Sequence, residues 1–547
     1  MAEAVRGADV LVEGLARAGA RTVFSLSGNH IMPVYDALVG RDLALVHARH
    51  EAAAVHMADA WGRLTGEAGI ALVTGGQGHT NAVAGLPTAM AGEVPLVLLS
   101  AHAPLAEVGL GAFQELDNAA LAAPVAKAAW VARSAVGLAE DLARAVRTAR
   151  GGRPGPVYLS LPTDVIEARV DPDSVAWPGA ESFAPEAMPL PPRMAAAAVA
   201  EIGAARRPLV LAPPALCTPR GRPLLAALRA ALGVPVLPME SPRGVNDPSL
   251  GAFAEVLAEA DLVLLLGKAL DFTLRFGRPP TVARDARWVV LEPDPALLHR
   301  AARGLGERLA LSALCGAAET AVALAEAGRG AAGPQAAWTA SAEAAIAHRP
   351  AAWDVLRDAA DPIHPVALCA AIQPLLARDP DAVLVCDGGE IGQWAQSLLA
   401  APTRIINGVA GAIGAATPFA IGARSAAGPR APVVAVMGDG TFGFHMAEFD
   451  TAVRHRLPFV AVVGNDARWN AEHQIQLREY GAQRAYGCEL APGTRYDLVA
   501  AALGGHGEFV DRAAALPAAL ARAVASGRPA CVNVLIAGQP APVVRRG

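Results

Sequence analysis

Between residues 432 and 466 a β-branched apolar run ends abruptly in Gly438-Asp439-Gly440-Thr441-Phe442-Gly443. A helix-length amphipathic stretch follows, and a second apolar run ends in Asn465-Asp466. The pattern predicts strand, helix, strand. In a parallel unit both strands deliver their carboxyl ends to one edge of the sheet, where ligands bind, so Asp439 and Asp466 are expected side by side. Gly438-x-Gly440-x-x-Gly443 also spells the dinucleotide fingerprint, with an acidic residue at the end of the next strand. A carboxylate between the two glycines would face a pyrophosphate, however, and like charges repel unless a cation lies between them. Magnesium would resolve that conflict, since it takes oxygen ligands, accepts one or two carboxylates, and leaves positions for phosphates and water. The stretch therefore reads as a metal-diphosphate site in preference to a nicotinamide site, which stays as the alternative.

Other chemistry-bearing residues fall at similar strand ends. Arg49-His50-Glu51 sits at a strand-to-helix junction, where the helix start favours an anion. Taken alone, Glu51 fits a helix N-terminal carboxylate. Gly75-Gly76-Gln77-Gly78-His79-Thr80-Asn81 follows a strand, and its glycines would let backbone approach a flat ligand. His30, in Ser27-Gly28-Asn29-His30, follows the first strand and has the chemistry to move protons. His79 reads as a weaker candidate, a pocket liner.

These residues need strands and helices in strict alternation to hold them. Helix periodicity covers 6 to 19, and short apolar strands are predicted at 21–27, 43–47, 69–74, 95–99 and 156–162, with a helix over 51–64. A second set of strands follows at 208–212, 235–237, 262–267 and 288–291. The stretch 171–192, rich in Pro, Asp, Ser and Glu, reads as a linker, and the Ala- and Gly-rich sequence 317–345 as a separator. The third unit carries the Gly-Asp-Gly motif. Alternation of this kind means parallel α/β sheets.

The 547 residues, 53% hydrophobic and 18% charged, suffice for several ordinary domains with sizeable cores. A formal charge of −5 without a basic block gives no footing for nucleic acid or an anionic membrane. The six cysteines are scattered without paired spacing, which points away from zinc and toward a reducing compartment. With no spanning apolar run and no leader-like start, the expectation is a cytoplasmic protein.

The Gly438-Asp439-Gly440 and Asn465-Asp466 pair, with Arg49-His50-Glu51 ahead of it, resembles the thiamine-diphosphate enzymes. Their signature is Gly-Asp-Gly followed about one helix and strand later by Asn-Asn. The resemblance implies that Asp439, Asp466 and the backbone carbonyl of Arg468 hold a magnesium ion that grips the cofactor's diphosphate. Asp466 departs from the family's asparagine. Aspartate is a competent oxygen ligand, but it adds negative charge beside the diphosphate. The resemblance also implies that Glu51 exchanges a proton with the aminopyrimidine ring, which needs a carboxyl group in a dry pocket. Gln114, in Gly111-Ala-Phe-Gln114, would point at the substrate carbonyl as in acetolactate synthases and benzaldehyde lyase, and His30 would face the reacting carbon. Asn29, Thr74, Gly76 and Asn81 would line the pyrimidine side. Gly389 and Glu390, in Asp387-Gly388-Gly389-Glu390, would meet the diphosphate together with Gly438, Gly440 and Thr441. Gly411 and Ile413 mark the place where a bulky apolar side chain wedges between the cofactor's two rings. Trp469, Gln474 and the segment 470–485 would form the substrate wall.

The implied architecture is α/β, with three doubly wound parallel-sheet domains: pyrimidine-binding (1–170), central (190–330) and diphosphate-binding (355–540). The implied activity makes or breaks a carbon-carbon bond in 2-keto acids or 2-hydroxy ketones, similar to acetolactate synthase. Benzaldehyde lyase-like or 2-hydroxyacyl-CoA lyase-like cleavage, or cofactor binding without catalysis, are the alternatives. FAD is not expected. Flavin-binding acetolactate synthases carry an Arg-Phe-Asp-Asp type sequence in the central domain, whereas this chain has Leu270-Asp-Phe-Thr-Leu-Arg-Phe-Gly-Arg-Pro-Pro, closer to the 2-hydroxyacyl-CoA lyase pattern. Family members hold the cofactor between the first domain of one subunit and the third of another, which implies a homodimer or homotetramer.

Overall fold

The computed structural model of the chain describes residues 3–330, 335–358, 362–428 and 430–546. The first sheet consists of β1 (Thr22–Ser25), β2 (Ala44–His47), β3 (Gly69–Val73), β4 (Leu96–His102), β5 (Ala128–Val131) and β6 (Pro156–Pro162). All neighbours are parallel, in the order β2-β1-β3-β4-β6-β5. β3, β4 and β6 are buried along their whole length, as parallel strands covered on both faces must be. The helices used below are α1 (Gly7–Arg17), α2 (Glu51–Thr65) and α3 (Gln77–Val83).

The second sheet is also parallel: β7 (Pro208–Ala212), β8 (Val236–Pro238), β9 (Leu262–Leu266), β10 (Arg287–Glu292) and β11 (Leu309–Leu314), in the order β8-β7-β9-β10-β11. Here the expectation of a separator at 317–345 is corrected. The segment folds as α4 (Ala317–Ala327) and α5 (Ala336–Ala347), while residues 331–334 lie outside the described residues. Alanine is the best helix former. Ala321 and Leu324 of α4 are packed into one core of this sheet, and Trp338, Ala342 and Ala345 of α5 into the other. The Trp338 indole N–H donates to the Pro208 carbonyl at 2.8 Å, tying α5 to the start of β7.

The third sheet comprises β12 (Val383–Cys386), β13 (Thr403–Ile406), β14 (Val433–Gly438), β15 (Val460–Asn465), β16 (His506–Val510) and β17 (Ala530–Leu535), all parallel. Their order, β13-β12-β14-β15-β17-β16, repeats that of the first sheet strand for strand. The helices of this part of the chain used below are α6 (Gly389–Leu398), α7 (Asp439–His445), α8 (Glu448–Arg454), which packs with the first unit, and α9 (Asn470–Tyr480). Strand, helix and strand follow as expected around Gly438-Asp439-Gly440, and Gly438 pairs with Gly464 in register.

The residues pack into two compact units. One comprises Met1–Glu186, Thr417–Pro429 and His445–Pro458, and the other Ala187–Ala416, Arg430–Phe444 and Phe459–Gly547. No helix among the described residues is long and apolar enough to cross a membrane.

Candidate active site

In an open parallel sheet ligands bind outside the carboxyl ends of the strands, where the strand order reverses. In the first sheet that switch point lies between β1 and β3, and in the third between β12 and β14. The chain leaves β1 into Gly28-Asn29-His30 and β3 into Thr74-Gly75-Gly76. It leaves β12 into Asp387-Gly388-Gly389 and β14 into Asp439-Gly440. Both switch points therefore carry residues that the sequence singles out.

At the first switch point Glu51 opens α2. His50 caps that helix, its Nδ1 accepting from the Ala52 backbone N–H at 3.1 Å. Glu51 is 9% exposed. The Asn81 amide donates to its Oε2 at 3.1 Å, so Glu51 and Asn81 meet although they lie on different helices. A Cβ on Gly78 would sit 3.3 Å from Glu51 Oε1 and 2.7 Å from Thr74 Cγ2. Close approach of α3 to Glu51 thus depends on a bare backbone at that position. Gly76 has φ +57, and a Cβ there would collide with the Cβ of Gln114 at 2.6 Å, so Gln114 lies directly on the glycine turn. His30 Nδ1 stands 3.4 Å from Thr74 Oγ1, and its ring meets Phe113 with centroids 5.7 Å apart. Burial, followed by the nearby His102, lowers the His30 pKa and favours the neutral imidazole. Asn29 is exposed beside it.

His79 does not line this cluster. It is fully buried behind the glycine turn, its Nδ1 3.1 Å from Ser100 Oγ and its ring 4.6 Å from Tyr158. It is a core histidine.

One residue that the sequence does not reveal holds the Glu51 turn. Glu448 of α8, 1% exposed, accepts the Arg49 N–H at 3.0 Å on Oε1 and 3.2 Å on Oε2, and the Thr451 hydroxyl at 2.6 Å. Arg454 Nη2 donates to the His47 carbonyl at 2.6 Å on the same turn. Glu448→Gln places an amide N–H₂ against a backbone N–H and is expected to cost about 1–3 kcal/mol. A lowered thermal midpoint together with reduced turnover is the expected result, and an unchanged midpoint would contradict the anchoring role.

At the second switch point Asp387 is fully buried and gathers the surrounding backbone. It accepts from Gly388 N at 2.6 Å, Ala416 N at 2.8 Å and Gly414 N at 3.0 Å. These bonds seat Ile413 against the turn after β12, so closely that a Cβ on Gly388 would come within 2.4 Å of Ile413 Cγ2 and 2.9 Å of Thr441 Oγ1. Burial pushes the Asp387 carboxyl up from 3.8 to about 6, with the backbone donors acting against the shift. Its folded value lies above its unfolded one, so the folded state binds more protons across that interval. The corresponding stability is complete below about pH 4 and lost as pH rises through about 6, a change of about 3 kcal/mol. Asp387→Asn does not titrate. The thermal midpoint of the wild type relative to this variant should therefore decline between about pH 4 and 7, and a pH-independent gap would contradict the assignment.

Asp439 and Asp466 line one cavity of about 50 Å³ together with Gly438, Gly440, Thr441 and Trp469. Gly389, Glu390, Ile413 and Arg468 also border it, and Gly411 lies on the exposed turn just before Ile413. Asp439 is 1% exposed and its Oδ2 has no hydrogen-bond partner. Burial raises its carboxyl to about 6, opposed by the backbone N–H groups of Gly440, Ala467 and Arg468. Asp466 is pushed to about 7, by burial first and the charge of Asp439 second, with Arg468 acting the other way. Glu390 is bound to Arg243, with Nη2 3.3 Å from Oε2.

The turn after β15 is held by Asn465. It donates to Thr494 O at 3.1 Å and to Asn533 Oδ1 at 3.2 Å, and it accepts Ala467 N at 3.2 Å. Ala467 itself has φ +54, a left-handed conformation that costs energy for a residue with a Cβ and that the surrounding bonds over-determine. Gln474 of α9 turns back to Asn470, 3.1 Å away.

Among the described residues no group of three or more His, Cys, Asp or Glu side chains is arranged to hold a metal. Two carboxylates, one of them with an unpartnered buried oxygen facing a cavity, suit a hard divalent cation that completes its shell from backbone, water and phosphate. The residues present therefore fit a cation-held diphosphate.

Comparison with known proteins agrees with this geometry. Residues 5–121 match the N-terminal thiamine pyrophosphate-binding domain of thiamine pyrophosphate enzymes, and residues 387–534 match their C-terminal thiamine pyrophosphate-binding domain. A probable acetolactate synthase of Mycobacterium bovis is 34% identical, with 98% of this chain and 96% of the relative aligned. The 2-hydroxyacyl-CoA lyase 2 of Bos taurus is 31% identical over 90% of this chain and 83% of its own, and that of Homo sapiens 31% over 95% and 88%. With both switch points falling inside the matched domains and the similarity running almost end to end, this chain belongs to the thiamine pyrophosphate enzymes.

Proposed function

We propose that the chain is a thiamine-diphosphate- and magnesium-dependent enzyme that makes or breaks a carbon-carbon bond next to a carbonyl, as an acetolactate synthase-like carboligase acting on 2-keto acids. The observation that carries this reading is the Glu51 carboxyl, nearly buried and fixed by Asn81 at the first switch point. When bound, thiamine diphosphate supplies the electron sink for such chemistry. Asp439, Asp466 and the Arg468 carbonyl would hold the cation, and Gly389, Glu390, Gly438, Gly440 and Thr441 would border the diphosphate. Ile413, with Gly411, would pack against the bound cofactor, and Trp469 would line the same cavity. Glu51 holds and returns a proton through Oε1 while Asn81 fixes Oε2. Thr74, Gly76 and Asn29 border the pyrimidine side, and His30 and Gln114 orient the substrate carbonyl. The domains run 1–170, 190–330 and 355–540, in a cytoplasmic homodimer or homotetramer that uses no FAD.

A second reading, 2-hydroxyacyl-CoA lyase-like cleavage, is favoured by one turn of the central domain. Arg275 (φ +49) and Phe276 (φ +57) both adopt left-handed backbone, and such strain gathers at functional sites. Phe272 and Phe276 are half-exposed, and Arg278 lies 5.3 Å from the Phe276 ring. A cationic and aromatic turn of this kind suits the nucleotide part of CoA. The two readings separate when pyruvate and a 2-hydroxyacyl-CoA thioester are offered in parallel with both cofactors. Acetolactate from pyruvate supports the carboligase, whereas thioester cleavage without loss of pyruvate replaces it by the lyase.

A further inference from the structure

The cavity below β14 and β15 poses a problem of charge. Glu390, Asp439, Asp466 and Glu472 all border it, and Arg468 is the single base among the described residues that do. Glu390 is bound to Arg243. An asparagine at 466 would leave Asp439 and Glu472, beside the ion-paired Glu390, for one divalent cation and the diphosphate to balance. An ionised aspartate adds a negative charge beside the cation site, and in a partly buried site such a charge is weakly screened.

Arg468 stands two residues away. Its guanidinium makes no hydrogen bond or ion pair with any described residue, and its Nη1 and Asp466 Oδ2 both approach one point beside Gly538, at 3.4 and 3.5 Å from where a Cβ would lie. The turn that carries both residues is rigid. Ala467 is locked by Asn465 and by Leu490, whose N–H donates to its carbonyl at 2.7 Å, and Trp469 N donates to Cys488 O at 2.8 Å. The backbone that carries this long cationic side chain is thereby fixed beside the extra carboxylate.

We propose that the Arg468 guanidinium compensates the charge of Asp466, restoring the electrostatic balance that lets the site accept a diphosphate. Its backbone carbonyl and its side chain then serve the site separately. Arg468 is a positioning and charge-balancing residue, and the inference rests on the thiamine-diphosphate reading above.

The test is thiamine diphosphate affinity of the full-length protein at fixed Mg²⁺, followed by intrinsic tryptophan fluorescence, for wild type, Arg468→Gln, Asp466→Asn and the double variant. Arg468→Gln should weaken binding about tenfold where Asp466 is present and less than threefold where asparagine replaces it, with Arg468→Lys close to wild type. High salt should narrow the tenfold gap. An effect below twofold with Asp466 present, or the same factor in both backgrounds, overturns the proposal. Failure of the wild type to bind thiamine diphosphate with Mg²⁺ would instead overturn the cofactor reading. Arg468 is exposed, so the thermal midpoint of Arg468→Gln without cofactor should match that of the wild type, and that of the double variant should match Asp466→Asn, which separates charge from folding.

Discussion

Replacing Glu51 by glutamine is expected to lower turnover by about 10²–10⁴-fold, the range that general acid-base catalysis contributes. Glutamine keeps the length of the side chain and an oxygen to accept the Asn81 amide, so the 3.1 Å contact and the close packing against Gly78 survive. What it lacks is a group that gains and loses a proton. Cofactor affinity and thermal midpoint should therefore stay near wild type while turnover collapses. Retained turnover would remove Glu51 from the chemistry and leave it as a helix-start carboxylate. A parallel loss of cofactor binding would show that its role is structural.

Asp439→Asn is expected to weaken thiamine diphosphate binding in the presence of Mg²⁺ by about 100-fold, because a charged, buried ligand is exchanged for a neutral one. The substitution is nearly isosteric, and the Asp439 oxygen at stake has no protein partner to lose. Binding should fall without loss of fold, as followed by calorimetry beside a melting curve. A nicotinamide site at Gly438-x-Gly440-x-x-Gly443 makes the opposite forecast, with NADH bound without Mg²⁺ and little effect from the substitution.

The parts of the site that are local in sequence are legible there. Two β-branched runs separated by one helix place Asp439 and Asp466 at neighbouring strand ends, and β14 and β15 pair as that reading requires. Arg49-His50-Glu51 sits at a strand-to-helix junction for the same reason. The supports are not legible, because they act across distance on backbone groups that no motif marks. Glu448 reaches an N–H 399 residues away, and Asp387 gathers N–H groups 27 and 29 residues downstream. His79 misleads for a local reason: the stretch after the glycines is already helix α3, and the histidine turns to the core while Gln77 faces out. The strands β5 and β11 escape notice because they are edge strands, only half-buried, and their alanine-rich sequences lack the β-branched runs that mark the central strands. In the alanine-rich segment that becomes α4 and α5, small apolar residues on every face obscure the helical period.

The central question is whether diphosphate binding requires a cation held by this site. Calorimetric titration of thiamine diphosphate into chelator-treated protein, with and without Mg²⁺, measures that requirement. Saturable binding of one cofactor per chain is expected with Mg²⁺, and a loss of affinity of at least about 100-fold without it. Equal binding in the two titrations, or binding unaffected by Asp439→Asn, would contradict it.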